Sequence, residues 1–230
     1  MDKVTAKRLV GEAGLPQARW LGVREWEVDR LADRVDAELG WPVFVKPSNL
    51  GSSVGVSKAH GPDEFDAAVQ LALSYDEWVV VEEAVVGREI EVGVLGDRPA
   101  EASVPGEIRP SREFYDYEDK YVTDGAQLLV PAPLSAEETA EVRSLALAAF
   151  AAVRAEAMAR VDFFYEEQGR GFLVNEVNTI PGFTPISMYP KVWEASGVSY
   201  TELVDRLVQL ALDRHARRSA RIGRRRALET

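Results

Sequence analysis

The sequence predicts an α+β fold with mainly antiparallel sheets, and three observations carry that reading. Short apolar strand patterns precede, separate and follow helical ones along the chain. Two of the strand patterns, 159–165 and 171–177, flank the turn Gln168-Gly169-Arg170-Gly171 at hairpin spacing. The composition, 46% hydrophobic and 28% charged over 230 residues, is that of one large globular domain or two small ones sharing an interface.

The elements follow in order. Residues 3–13 read as a helix stopped by Gly14 and Pro16, and 28–39 as a second, with Val28, Leu31, Val35 and Leu39 at helical spacing. Val43-Phe44-Val45 is a short strand, and 47–55 after it is a turn of small residues. A helix over 63–73 is capped by Pro62 and Asp63. Val79-Val80-Val81 and 89–94 are strands joined through Gly87. Residues 106–125 have few periodic apolar positions and many charges and tyrosines, which predicts a long loop, and a loop of that length is usually functional or disordered. Ser135 caps a helix reaching to about 154, with Glu138 completing a capping box. After the hairpin the chain ends in a helix over 200–216, with Leu203, Leu207, Leu210 and Ala211 on one face. The sequence contains no internal repeat and no low-complexity segment.

Composition excludes several function classes. No apolar run is long enough to span a bilayer, and Met1-Asp2-Lys3 begins no signal peptide. The chain has no Cys, so it has no disulfide, thiolate ligand or Cys nucleophile, which fits a reducing, cytoplasmic setting. His60 and His215 are the two imidazoles, so catalysis must run on carboxylates, Lys, Arg, Ser, Tyr or a metal. The net charge of −11 hides an asymmetry: the stretch 213–230 carries +5, leaving −16 on residues 1–212. An acidic body argues against a nucleic-acid groove. The basic tail reads as a solvated, frayed terminus, or as a contact for RNA, membrane or an acidic partner.

Four constellations carry chemistry, each with a plainer alternative. In Arg160-Val161-Asp162 and Glu176-Val177-Asn178, alternate residues share a strand face, so a hairpin puts two carboxylates and an amide beside an Arg. That set suits magnesium; the alternative is an exposed polar face. Lys46 at a strand end, before the 51–55 turn, can meet a phosphate cradled by backbone N–H groups, or the turn is an ordinary one. Glu82-Glu83-Ala84-Val85, leaving a strand, can meet adenine and ribose, with Glu89 following, or is a plain strand exit. The stretch Asn178-Thr179-Ile180-Pro181-Gly182, with Ser187, forms an anion hole or a rigid turn.

Together these segments resemble the D-alanine–D-alanine ligases of the ATP-grasp superfamily. The matching stretches are MDK, FVKPSNLGSSVGVSK, VVVEEAVVGREIEVGVLG, PGEIRPSREFYDYEDKY, MARVDFF and NEVNTIPGFTPISMYPKVWEASG, in family order over nearly all of residues 1–212. The resemblance implies two α+β subdomains, 1–100 and 101–212, enclosing ATP, with 213–230 a basic tail. It implies ligation of two D-alanines through an acyl phosphate to D-alanyl-D-alanine, for peptidoglycan synthesis, cell-wall biogenesis and cell shape. By matching positions it implies that Lys3 and Lys46 contact phosphates and that the Ser52–Ser53 turn closes over them. Glu82, Glu83 and Val85 would hold adenine, Glu89 the ribose, and Phe114 and Asn175 would complete the nucleotide site. Lys120 would meet the transferred phosphate, with Tyr121 beside it. Asp162, Glu176 and Asn178 would bind two magnesium ions, for which manganese can substitute. Arg160 and the Gly182 N–H would stabilise the oxyanion, and Ser187 and Met188 would hold the second D-alanine.

The loop around Phe114-Tyr115-Asp116-Tyr117 and Lys120-Tyr121 contains no His, unlike the loop implied for D-alanine–D-lactate ligases, which are the alternative enzyme reading. A non-catalytic ATP-binding remnant is the other alternative. The family carries a domain before the MDK motif that supplies an acid for the first substrate's ammonium and forms a homodimer, so this chain reads as a truncated form. In the second departure, Arg154-Ala155-Glu156-Ala157 stands where the family shows glycines, which predicts a stiffer turn.

Overall fold

The computed structural model describes residues 1–109, 127–184 and 186–221. Two antiparallel sheets organise it. The first takes strands β1 (Trp20–Arg24), β4 (Trp78–Glu83), β2 (Val43–Pro47) and β3 (Ser57–Ala59), in that spatial order. Val43, Val45, Val79 and Val81 point to one face and pack under helices α2 (Leu31–Glu38) and α3 (Pro62–Leu73), through Leu31, Val35, Phe65 and Val69. The alternate residues of β2, Phe44 and Lys46, are left on the opposite face.

The second sheet orders β7 (Gln127–Leu129), β6 (Ala100–Arg109), β5 (Arg88–Gly96), β8 (Ala157–Glu166) and β9 (Gly171–Asn178). Ala159, Val161, Phe163 and Tyr165 of β8 enter a core closed by Val142, Ala146, Ala149 and Phe150 of helix α4 (Ala136–Ala152). Helix α1 (Lys3–Glu12) adds Val10 to this core while its first turn is tied to the first sheet, where Lys3 N–H donates to the Ser48 carbonyl at 3.0 Å. Helix α5 (Met188–Ala195) lies on the other face of the sheet. It approaches closely because Gly93 and Gly106 present no Cβ: one at Gly93 would lie 2.8 Å from Trp193 Nε1, and one at Gly106 2.4 Å from Met188 Sδ. The last helix, α6 (Tyr200–Ser219), seals the end of the sheet with Leu203, Leu207 and Leu210.

Several sequence expectations are refined. The second helix starts only at Leu31, after a 3-10 turn at Glu25–Glu27 and a left-handed Arg30 (φ 59°). Residues 106–109 continue β6 rather than opening a loop: Pro105 and Gly106 look like breakers in sequence, yet β5 and β7 hold them in a ladder. Strands β1, β3 and β7 and helix α5 are absent from the sequence reading, although β1 alternates in burial and Pro190 lies in the first turn of α5, where proline is tolerated. Ala211 is exposed, while Leu203 is buried and Leu207 and Leu210 are partly buried against it. The first part of the basic tail is helical and paired, with Arg214 and Arg218 on Glu156 and Arg217 on Asp97. The expected division between residues 100 and 101 falls at the first residue of β6, inside the second sheet. Among the described residues no helix is long and apolar enough to cross a membrane.

Candidate nucleotide and metal site

A cleft of about 750 Å³ opens between the two sheets, within the range of small-ligand sites. The first sheet gives it a cationic wall. Lys46 and Phe44 project from β2, and Lys58 stands opposite Phe44 in the β2–β3 register. Both ammonium groups lie over the Phe44 ring, 5.8 and 5.9 Å from its centroid, a cation–π arrangement. The connection from β2 to β3 overhangs the cleft with Leu50, Gly51, Ser52 and Ser53. Ser52 and Ser53 both sit in the left-handed region, at φ 54° and 59°, where side chains are disfavoured. Lys3 donates to the Leu50 carbonyl and reaches Glu176 of the opposite sheet at 3.5 Å.

Glu82 lies at the floor of that wall, 2% exposed. Its two oxygens meet different ammonium groups, Lys46 at 2.7 Å and Lys7 at 3.2 Å. Burial opposes its charge, but Lys46 and Lys7 prevail and pull its pKa down to about 2. Burial in turn holds the Lys7 ammonium below its usual range, with Glu82 opposing. Glu83 points to the other side of the strand, where it pairs with Arg19 at 2.7 Å and with Arg170 at the β8–β9 turn at 2.5 Å. Its carboxylate is therefore outside the cleft, whereas Ala84 and Val85 line it.

The second sheet gives the cleft a wall with a small acidic surplus, Glu89, Glu107 and Glu176 beside Asn175 and Phe164, with Arg88 and Arg109 both paired to Glu107. Arg88 grips Glu107 through both oxygens at 2.8 and 3.2 Å. Next to this wall the hairpin pairs Asp162 with Glu176 and Arg160 with Asn178, and the register slips just past Asp162. Arg160 donates to both Asp162 oxygens, at 2.7 and 2.8 Å, and lies 3.1 Å from Glu91, whose strand position faces Asp162. Burial weakens the guanidinium's hold on its proton, yet Asp162 and Glu91 outweigh that and raise its pKa. Asn178 Nδ2 donates to Asp162 Oδ2 at 2.8 Å.

Among the described residues no group of three or more acidic, imidazole or thiol side chains is close enough to hold an ion alone. Two carboxylates and an amide beside a cationic wall fit magnesium nonetheless, because that ion commonly takes one or two carboxylates and completes its shell with water and phosphate oxygens.

After β9 the chain turns through Pro181 and Gly182 to Ser187, which caps α5. A Cβ at Gly182 would come within 2.8 Å of Ser187 Oγ, and that Oγ accepts from Thr184 N–H at 3.0 Å. Met188 is 3% exposed and packs with Ile108 and Val192, so its side chain belongs to the core. Phe114, Lys120 and Tyr121 lie outside the described residues.

The D-ala D-ala ligase C-terminus family model matches residues 9–209. The chain belongs to that family. It is 48% identical over 219 residues to the D-alanine--D-alanine ligase of Geobacillus thermodenitrificans, covering 94% of this chain and 60% of that protein. With the D-alanine--D-alanine ligase of Solibacter usitatus the identity is 52% over 217 residues, covering 94% and 66%. Among solved structures, the VanG D-Ala:D-Ser ligase from Enterococcus faecalis superposes with a TM-score of 0.83 at 35% identity, over 91% of this chain and 61% of that one. The D-alanine-D-alanine ligase from Coxiella burnetii gives 0.80 at 39%, over 95% and 58%. The chain thus spans about 60% of the length of these family members.

The fold brings Lys3, Lys46, Ser52, Ser53, Glu82, Val85, Glu89, Asn175 and Glu176 to one cleft, with Arg160, Asp162 and Asn178 on strands beside it. Sequence reading missed Lys7, Phe44, Lys58, Arg88, Glu91 and Glu107. For Phe44 and Lys58 a signal existed in the strand alternation around Lys46. For Lys7 the signal was its place one helical turn after Lys3.

Proposed function

We propose that this chain binds magnesium–ATP in the cleft and uses it to activate a carboxylate, as its part in joining two D-alanines. The observation that carries the reading is the pairing of a cationic wall with an acidic one across the cleft, the former suited to phosphates and the latter to the metal that accompanies them.

In this reading Lys46 and Lys3 neutralise ATP phosphates, the Ser52–Ser53 turn covers them, and Ala84 and Val85 border the adenine. Glu89 takes the ribose, and Asn175 completes the nucleotide site. Glu82 serves through its charge, as the shared counter-ion of Lys7 and Lys46, and Glu83 through its main chain. Asp162, Glu176 and Asn178 hold magnesium, which supplies charge neutralisation for the phosphates. An oxygen of the first D-alanine carboxylate attacks the terminal phosphorus as the bond to ADP breaks. The amine of the second D-alanine then attacks the acyl carbon, phosphate leaves, and the nitrogen loses its proton. Arg160 and the Gly182 N–H stabilise the oxyanion between these events, and Ser187 and the Met188 main chain orient the second carboxylate. Lys120, Tyr121 and Phe114 enter on the resemblance alone.

Calorimetry with magnesium–ATP tests the nucleotide site directly, with saturable binding expected. Phosphate release is then measured with D-alanine alone and with D-serine or D-lactate as the second substrate. Release that requires D-alanine supports the reading, and preference for another acceptor reassigns the product. Absence of nucleotide binding overturns the proposal.

A further inference from the structure

We propose that Lys7, which does not line the cleft, is a positioning residue for the phosphate site: it holds one oxygen of Glu82 from the interior so that Lys46 presents uncancelled positive charge to the cleft. The inference rests on the nucleotide reading above.

The geometry is a three-member chain running from the interior to the cleft. Lys7 Nζ, on a side chain 5% exposed, lies 3.2 Å from Glu82 Oε1. Glu82 Oε2 lies 2.7 Å from Lys46 Nζ, on a side chain 14% exposed that lines the cleft. With Lys46 alone, Glu82 would form a closed pair of zero net charge and hold the ammonium against the wall. With a protonated Lys7 behind it, the same carboxylate is shared and the cluster carries one net positive charge beside the cleft. In a poorly solvated wall that charge acts on a phosphate with little screening.

Lys7 is firmly placed for this task. It follows Lys3 by one helical turn, so both side chains leave α1 on the same side. Its carbonyl accepts from Gln17 Nε2 at 3.1 Å, and Val4 N–H donates to Ser48 Oγ at 3.3 Å, fastening α1 to the end of β2. A buried ammonium is an expensive way to fill space, since an apolar side chain of similar volume is often at least as stable. Its value lies in the charge it delivers to its neighbour.

The test compares the unaltered chain with Lys7→Met and with the double variant Lys7→Met/Glu82→Gln, titrating magnesium–ATP, magnesium–ADP and adenosine while following thermal unfolding. Lys7→Met is expected to weaken ATP and ADP about tenfold and to leave adenosine unchanged, because adenosine carries no phosphate. The double variant, which removes the unbalanced carboxylate, is expected to recover ATP binding to within about threefold of the unaltered chain. Should Lys7→Met fail to fold, the double variant decides. Unchanged ATP affinity in Lys7→Met, equal losses for ATP and adenosine, or a double variant that binds ATP about tenfold more weakly would overturn the proposal. No nucleotide binding by the unaltered chain would sink the site reading and this inference together, whereas the other failures sink only the role of Lys7.

Discussion

The two walls of the cleft solve opposite electrostatic problems. On the first sheet, one buried carboxylate is shared by two lysines, and the surplus is positive. Beside the second wall, one guanidinium is shared by Asp162 and Glu91, and the surplus is negative, with the cleft-lining Glu176 next to Asp162. Each cluster sets a central ion between two partners of the other sign, and Lys46 on one side and Glu176 on the other line the cleft. In the proposed reading, phosphates go to one side and a cation to the other.

Breaking the Arg160 cluster beside the acidic wall should cost most. Arg160→Met leaves Asp162 and Glu91 facing each other without their common partner, and is expected to destabilise the chain by about 3 kcal/mol in denaturant unfolding, at the lower end because the side chain is one-fifth exposed. The cationic wall should fail with acid instead. Glu82 titrates near 2 in the folded chain against 4.5 ordinarily, so its contribution is complete above pH 4.5 and is lost as pH falls from there toward 2. The stability gap between the unaltered chain and Glu82→Gln should accordingly shrink by about 3 kcal/mol across that window.

Lys46→Met sharpens the contrast, because it should act on binding more than on folding. Loss of a charge-assisted phosphate contact of about 2 kcal/mol predicts roughly 30-fold weaker magnesium–ATP binding by calorimetry. The smallest effect is expected away from both walls. Ala157 holds φ 70° at the end of the α4–β8 turn, and Arg154 holds φ 55° at its start. Ala157→Gly relieves a left-handed alanine and should raise stability by about 0.5–1 kcal/mol, read from the unfolding midpoint. That turn is held from outside by Asp97, which accepts from Ala157 N–H at 2.9 Å, and by the Glu156 pairs with α6. Non-glycine residues are thus kept in a turn that glycine would adopt without strain.

The sequence by itself determined the elements with strong periods and the residues whose chemistry follows from period two. Arg160 with Asp162 and Glu176 with Asn178 were legible because a strand must place alternate residues on one face, and the hairpin turn between them permitted a single pairing sense. Lys46 before the 51–55 turn and Glu82 at a strand exit were legible from the break between apolar strands and small-residue connections. What the tertiary structure decided was which face each group sees. Glu82 and Glu83 are adjacent in sequence, yet one lies at the cleft floor between two lysines and the other ties two sheets together through Arg19 and Arg170. Lys7 reads as an ordinary helical lysine until α1 is laid across the end of the first sheet, and Met188 reads as a ligand neighbour until α5 docks on Gly106. The reason is physical: side-chain period is a local property of the backbone, whereas burial and charge partnership arise only when elements distant in sequence exclude water from between them.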